Sequence, residues 1–351
     1  MIIGDEQAMA ARTPQPFSTQ CGDFSRRDFL SRVGGASLGL WAIAQGIRPS
    51  QADDAPAGWP VWVGCRDAML TPMKRKDSWE ALKAIGAECV AVWTGRKQLE
   101  IPFLIGSGKP YTLASSDIAR LGDDARAAGV RITAFCMGNR FDVQPDVEIQ
   151  HCGMVARAAD QLGAPAIRID VAPRKMERNA FRKQAVKALK KILADTESTG
   201  VKFAIENHGN TTNDPDFMQS LFDRVGSERL GLTLDTANLY WFGHPLSKVY
   251  SLFERFAPRV YHTHCKSIRY PETERERLRP MGWKYAEYQS SIDQGDIDFT
   301  RVASILRKAG YHNDLCVEDE FLDALTPEAA TDRLARQIAL LKKVRANVSK
   351  P

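Results

Sequence analysis

Val201-Lys202-Phe203-Ala204-Ile205-Glu206-Asn207-His208-Gly209 is an apolar run that stops on a cluster of polar side chains, and the chain repeats the device three times. Leu230-Gly231-Leu232-Thr233-Leu234 stops on Asp235-Thr236-Ala237-Asn238. Val260-Tyr261-His262-Thr263 leads into His264-Cys265-Lys266, and Leu315-Cys316-Val317 stops on Glu318-Asp319-Glu320. Glu206 to Asp235 is 29 residues and Asp235 to His264 another 29, close to one strand-plus-helix repeat each time. Equal phase implies equal height on a common rim.

Outward from this block, further short apolar runs alternate with amphipathic stretches: Pro60 to Cys65, Cys89 to Trp93, Val130 to Cys136 and Pro165 to Asp170. With Val201 to Glu206, Leu230 to Asp235, Val260 to His264 and Asp314 to Glu318 they make eight strand candidates. Between them, Asn179 to Leu193 carries Phe181, Ala185, Ala188, Leu189, Ile192 and Leu193 on one helical face. Pro327 to Val344 does the same with Leu334, Ile338 and Leu341. Such alternation is the mark of repeated βα units around a parallel sheet. Eight units predict an α/β fold, a single (β/α)8 barrel over residues 53–351. A doubly wound open sheet is the alternative. It lacks support because no Gly-x-Gly-x-x-Gly follows the first strand. Gly106-Ser107-Gly108-Lys109-Pro110 fails as a phosphate loop, since Phe103 stands where the first Gly is needed and Pro110 where Ser or Thr is needed.

The 351 residues are 44% hydrophobic and 26% charged, a globular composition. Net charge is +5, and acids interrupt almost every basic cluster. That argues against a nucleic-acid partner and for a small molecule. Ser25-Arg26-Arg27-Asp28-Phe29-Leu30 precedes a weakly apolar stretch, Val33 to Ile47, and Arg48-Pro49-Ser50-Gln51-Ala52 follows. The pattern predicts a twin-arginine signal peptide over 1–52, export to the periplasm and 299 remaining residues. The apolar stretch falls short of the roughly 20 residues needed to span a bilayer, so no membrane association is expected after signal removal. A second copy of the chain remains open as a partner. The six cysteines beyond Cys21 are scattered, with no Cys-x-x-Cys, so their spacing announces neither disulfides nor a zinc-thiolate site.

Polar residues that close barrel strands face the pocket. Three carboxylates and an imidazole converging there would repel one another unless a cation neutralised them. Oxygen ligands with one nitrogen suit a divalent ion of octahedral habit, Mn²⁺ before Mg²⁺, Co²⁺ or Zn²⁺. The surplus between strands seven and eight lies in a loop, Ser267 to Asp296, carrying Trp283, Tyr285 and Tyr288. A loop of that length reads as a lid.

Glu206-Asn207-His208, Leu234-Asp235-Thr236-Ala237-Asn238, His262-Thr263-His264-Cys265-Lys266, Gly295-Asp296-Ile297-Asp298 and Val317-Glu318 together resemble the xylose-isomerase-like barrel superfamily, in its sugar phosphate isomerase and epimerase branch. The resemblance covers about Pro60 to Val344. It implies a metal held by Glu206, Asp235, His264 and Glu318, with the two glutamates also moving protons. It selects His264 over His262 because His264 stands before x-Lys. Ser267 replaces the Asp that closes the family's His-x-Lys-Asp. His208 and Asn238 match positions that touch substrate hydroxyls.

The chemistry that follows is proton removal next to a ketone, with Glu206 and Glu318 as the acid and base pair and the ion stabilising an enediolate. The expected activity is that of a sugar isomerase or epimerase on a carbohydrate, free or glycosidic rather than phosphorylated. A lyase or dehydratase on a keto-sugar or 3-keto-glycoside uses the same groups, and a non-catalytic sugar-binding barrel is a reading of another class. Arg168 and Lys266 are candidate substrate contacts, with Arg168 equally suited to pairing with Asp170. Trp62 and Trp93 are candidates to stack on a sugar face, and Arg66, Arg140 and Trp283 are weaker ones.

Overall fold

The computed structural model describes residues 58–95 and 99–349. The predicted signal peptide, residues 1–52, and the expected domain start at Asp53 lie outside the described residues. Eight parallel strands form the centre: β1 (Trp62–Arg66), β2 (Cys89–Thr94), β3 (Arg131–Met137), β4 (Ala166–Ile169), β5 (Lys202–Glu206), β6 (Leu230–Asp235), β7 (Val260–His264) and β8 (Asp314–Val317). They are hydrogen-bonded in the order β8-β1-β2-β3-β4-β5-β6-β7. Between β7 and β8 the ring is drawn together just past the strand end, where Cys265 N donates to Cys316 O at 2.7 Å and Glu318 N to Cys265 O at 3.2 Å. The result is a nearly closed barrel with helices between the strands, as the eight-run pattern predicts. The alternative of an open doubly wound sheet is excluded by this contact.

The strands are apolar on both faces because side chains of the barrel interior cover one and the helices the other. Helix Arg178–Asp195 buries the expected Phe181, Ala185, Ala188, Leu189, Ile192 and Leu193, and Pro327–Val348 buries Leu334, Ile338 and Leu341. Caps fix where helices start. Asp214 accepts from Asp216 N and Phe217 N ahead of Pro215–Val225, and Asp298 accepts from Thr300 N and Arg301 N ahead of Phe299–Lys308. At Gly64 a Cβ would stand 1.8 Å from Cys89 O, so β1 and β2 approach where a side chain does not fit.

Register sets the height of the site. Asp235 lies opposite His264, whereas Glu206 lies opposite Thr233, two positions before Asp235. That stagger is the tilt of barrel strands. The Gly106–Pro110 segment, without a phosphate-loop pattern, is the tip of a β-hairpin. Glu100–Gly106 pairs with Lys109–Thr112, and Ser107 and Gly108 take the positive φ of 53° and 76° that a two-residue hairpin turn requires. The long loop after β7 carries a two-stranded ribbon, Ser267–Ile268 against Gln289–Ser290. No helix among the described residues is long and apolar enough to cross a membrane.

Candidate active site

Glu206, Asp235, His264 and Glu318 come from β5, β6, β7 and the residue after β8, and all four are buried. One donor atom from each lies within 4.8 Å of all the others. His264 Nδ1 is 2.5 Å from Glu206 Oε1 and 3.2 Å from Glu318 Oε2. Asp235 uses Oδ1 to accept from Ala237 N and Asn238 N, each at 2.9 Å. Its Oδ2 is turned into the cluster, where Lys266 Nζ stands 3.0 Å away without the alignment of a hydrogen bond.

Basic side chains surround the acids. Arg66 bonds Glu318, and Arg168 bonds Glu206 while donating to Met137 O at 2.6 Å. Lys266 also lies 3.1 Å from Glu318 Oε2 and 3.0 Å from Glu320 Oε1. Burial disfavours charge on Glu206 and Glu318. It is outweighed by Arg168 and His264 at the first and by His264, Lys266 and Arg66 at the second, so both carboxyls are held well below their ordinary range. At Asp235 burial wins, aided by the charges of Glu318 and Glu206 against Lys266, and its carboxyl is pushed up to about 7. Asp235 Oδ2 is thus a buried oxygen with no hydrogen bond, on the one carboxyl of the three that burial pushes up, and a cation would satisfy it. Burial opposes charge on His264, but Glu318 and Glu206 outweigh it and hold its imidazole well above the ordinary value. Three carboxylates with an imidazole that gives up its proton to a cation fit a divalent metal.

The remaining expected residues divide. His208 lies near the cluster, its Nδ1 3.5 Å from Asp170 Oδ1 and 3.9 Å from Glu206 Oε2, with the side chain 49% exposed. Arg168 pairs with Glu206; His208 is the partner of Asp170. Asn238 donates one side-chain N–H to Asn207 O at 2.9 Å, locking the ends of β5 and β6 together. Trp93, next to last in β2, lies beside the site, with Arg66 over its ring at 5.5 Å. Trp62 is a correction: it opens β1 opposite Asp314, the first residue of β8, and so sits at the opposite end of the barrel from Glu318. Trp62 stands near the N-terminal end of its run, and in a parallel barrel only the C-terminal strand ends meet the pocket. His262 and Glu320 stand outside the four-residue cluster. His262 Nδ1 faces Asp314 Oδ2 at 2.8 Å, and Glu320 joins Lys266 to the Tyr285 hydroxyl, which donates to it at 2.9 Å. Trp283 stacks on Tyr288 at 5.6 Å within the long loop, and Arg140 bonds Asp142 at 3.0 Å.

Sequence reading passed over two buried groups. Asp67, directly after β1, accepts from Ala68 N and Trp93 N at 2.8 Å, and burial pushes its carboxyl up to about 7 against the pull of Arg66. Cys136, on β3, meets His262 and His264 in a second group of metal-type donors within 4.8 Å of one another. All six cysteines in the described residues are free and buried.

A family model described as xylose isomerase-like TIM barrel matches residues 79–344. The chain belongs to that family. Among solved structures, a xylose isomerase domain protein from Planctomyces limnophilus is 17% identical, covers 83% of this chain and 99% of its own, and superposes with a TM-score of 0.61. The IOLI protein with a bound zinc atom is 18% identical over 82% of this chain and 98% of its own, with a TM-score of 0.60. An L-ribulose 3-epimerase is 15% identical over 82% and 96%, with a TM-score of 0.57. No curated protein matches the chain. At these identities the likeness establishes the fold of a family that includes sugar epimerases and isomerases.

Proposed function

We propose that this protein is a divalent-metal-dependent sugar isomerase or epimerase that removes and returns a proton next to a ketone. The observation that carries the proposal is the convergence of Glu206, Asp235, His264 and Glu318 from four neighbouring staves, with one donor of each within 4.8 Å. A divalent ion held by these four, Mn²⁺ foremost, supplies the positive charge that makes a carbon-bound proton beside a ketone removable. One of Glu206 and Glu318, ionised, takes that proton on an Oε, and a proton is given back from the same group or from the other once it has taken one from solvent; Arg168 and Arg66 bond the two carboxyls and fix their orientation. Lys266 and His208 sit where they bind and orient substrate oxygens, and Tyr285 with Glu320 covers one side of the mouth. The substrate is a free or glycosidic carbohydrate. Support for export comes from Ser25-Arg26-Arg27-Asp28-Phe29-Leu30 and its apolar sequel; the folded protein then works in the periplasm, and replacing Arg26-Arg27 by two lysines should keep it in the cytoplasm.

The test is solvent deuterium uptake into ketoses and 3-keto-glycosides with and without Mn²⁺. Ion-dependent exchange with an intact carbon skeleton supports the isomerase or epimerase. Exchange accompanied by release of a fragment would make the protein a lyase, and no exchange across substrates that bind would make it a silent binder.

A further inference from the structure

His264 has two ring nitrogens and, when neutral, one lone pair. Nδ1 faces the carboxylates of Glu206 and Glu318. For that atom to ligate a cation, the proton has to sit on Nε2, and a buried N–H needs an acceptor. His264 Nε2 is buried and meets no oxygen, nitrogen or sulfur in hydrogen-bond geometry, and neither does His262 Nε2, so the nearest side chain able to accept has to close in on it. Both rings are fully buried, 5.0 Å apart and nearly perpendicular. The donor group they share is completed by Cys136 Sγ, within 4.8 Å of a nitrogen of each. Cys136 itself packs among Ala91, Ala134, Ala166 and Cys316, side chains with no stronger acceptor to offer. On the far side, His262 Nδ1 stands 2.8 and 3.0 Å from the two oxygens of Asp314. Asp314 is in turn held by the Tyr311 hydroxyl at 2.9 Å and Thr263 N at 3.2 Å. A carboxylate anchored in this way fixes the His262 proton on Nδ1 and leaves its Nε2 facing inward.

We propose that Cys136 is a positioning residue for the metal ligand His264, its sulfur accepting the Nε2 proton of His264 at the end of a buried chain Asp314–His262–Cys136–His264. The proton between Cys136 Sγ and His262 Nε2 can rest on either atom without altering this, because in both cases the sulfur accepts from His264. A chain without Cys136 would leave the His264 Nε2 proton stranded in the barrel interior, or drive it to Nδ1, where it blocks the ligand lone pair. The inference rests on the metal reading of Glu206, Asp235, His264 and Glu318 and adds to it the group that decides which nitrogen is offered.

The test pairs two readouts. In the Zn²⁺-loaded protein, ¹⁵N-histidine spectra should show His264 carrying its proton on Nε2; a proton on Nδ1 overturns the proposal. In Mn²⁺ titrations, Cys136→Ala should bind the ion roughly 10- to 100-fold more weakly, and Cys136→Ser, which keeps an acceptor, should recover most of the loss. Equal affinity in the alanine variant overturns the proposal, as does a thiolate-to-metal absorption band in the Co²⁺-loaded protein, which would make the sulfur a ligand. If the alanine variant does not fold, Cys136→Ser decides: the ¹⁵N shift of the His264 Nε2–H should move when oxygen replaces sulfur, and an unmoved shift overturns the proposal. Failure of the unaltered protein to take up any of these ions overturns the metal reading, and the relay with it.

Discussion

Lys266 Nζ stands 3.0 Å from Asp235 Oδ2, so a side-chain ammonium borders the space that a metal would share with Asp235, Glu318 and Glu206. Two cations that close repel each other by several kcal/mol even in a moderately polar interior. Lys266→Met should therefore strengthen Mn²⁺ binding by roughly tenfold or more, while weakening substrate turnover through loss of an orienting charge. Isothermal titration with Mn²⁺ reads the first effect. Weaker ion binding in the variant would show that Lys266 supports the ligand set instead of opposing it.

Asp235→Asn separates the fold from the site. Asparagine keeps an Oδ1 able to accept from Ala237 N and Asn238 N, so the turn after β6 should survive. What is lost is the negative charge of Oδ2. Bound Mn²⁺ per chain should fall sharply with little change in the thermal unfolding midpoint, both measurable on one preparation. Unchanged metal content would remove Asp235 from the ligand set.

Glu206→Gln and Glu318→Gln should each reduce solvent-proton exchange by roughly 10²- to 10⁴-fold, the usual worth of a general acid or base. Gln cannot carry the proton although it fills the same volume. Persistent exchange in either variant, measured by deuterium incorporation with the ion at saturation, would contradict the role given to that residue.

The His208–Asp170 contact gives a pH dependence whose sign is fixed. Burial opposes charge on His208. Asp170, with Glu206 adding, outweighs it and raises the imidazole to about 9. A raised histidine stabilises the fold fully below its unfolded value of about 6.5, and the contribution fades as pH climbs through about 9. The side chain is half exposed, so solvent screens the pair and the effect is small. In ion-free protein, urea unfolding should show the unaltered chain gaining over His208→Gln near pH 6, with the two converging near pH 10. A gap that widens towards high pH would reverse the assignment.

Gly64→Ala should cost about 3 kcal/mol, because the new methyl meets Cys89 O at 1.8 Å and forces β1 away from β2. Denaturant unfolding measures it. A variant as stable as the parent would mean that the barrel is looser at this seam than the structure shows.

The strands were legible because a barrel strand is apolar on both faces and ends abruptly in polar residues. Leu230–Asp235 and Val260–His264 have the bounds the sequence predicts. The four-residue cluster was legible for the same reason, since repeat spacing carries height around the barrel. Contacts across the barrel left no such trace. Cys136 is the last residue of the run Val130 to Cys136 but is not polar like the other strand ends, and nothing in the order of residues says that its sulfur meets His262 and His264 from a strand four places away. Arg66 looked like a weak candidate because β1 is remote from β8 in sequence, yet closure makes them neighbours and places its guanidinium on Glu318. The hairpin Glu100–Thr112 escaped notice because its turn, Ser107-Gly108, sits inside a segment read only for phosphate binding. Asn238 was expected to face substrate, and the sequence did not show that one side-chain N–H of it bonds Asn207 O across to β5 while its backbone N–H donates to Asp235 Oδ1.

The most direct measurement is anomalous X-ray scattering at the manganese edge from a crystal grown with Mn²⁺. One ion per chain, within bonding distance of Glu206, Asp235, Glu318 and the Nδ1 of His264, is the predicted result. An ion bound elsewhere, or Lys266 left between Asp235 and Glu318 at saturating Mn²⁺ with no ion beside them, would contradict it.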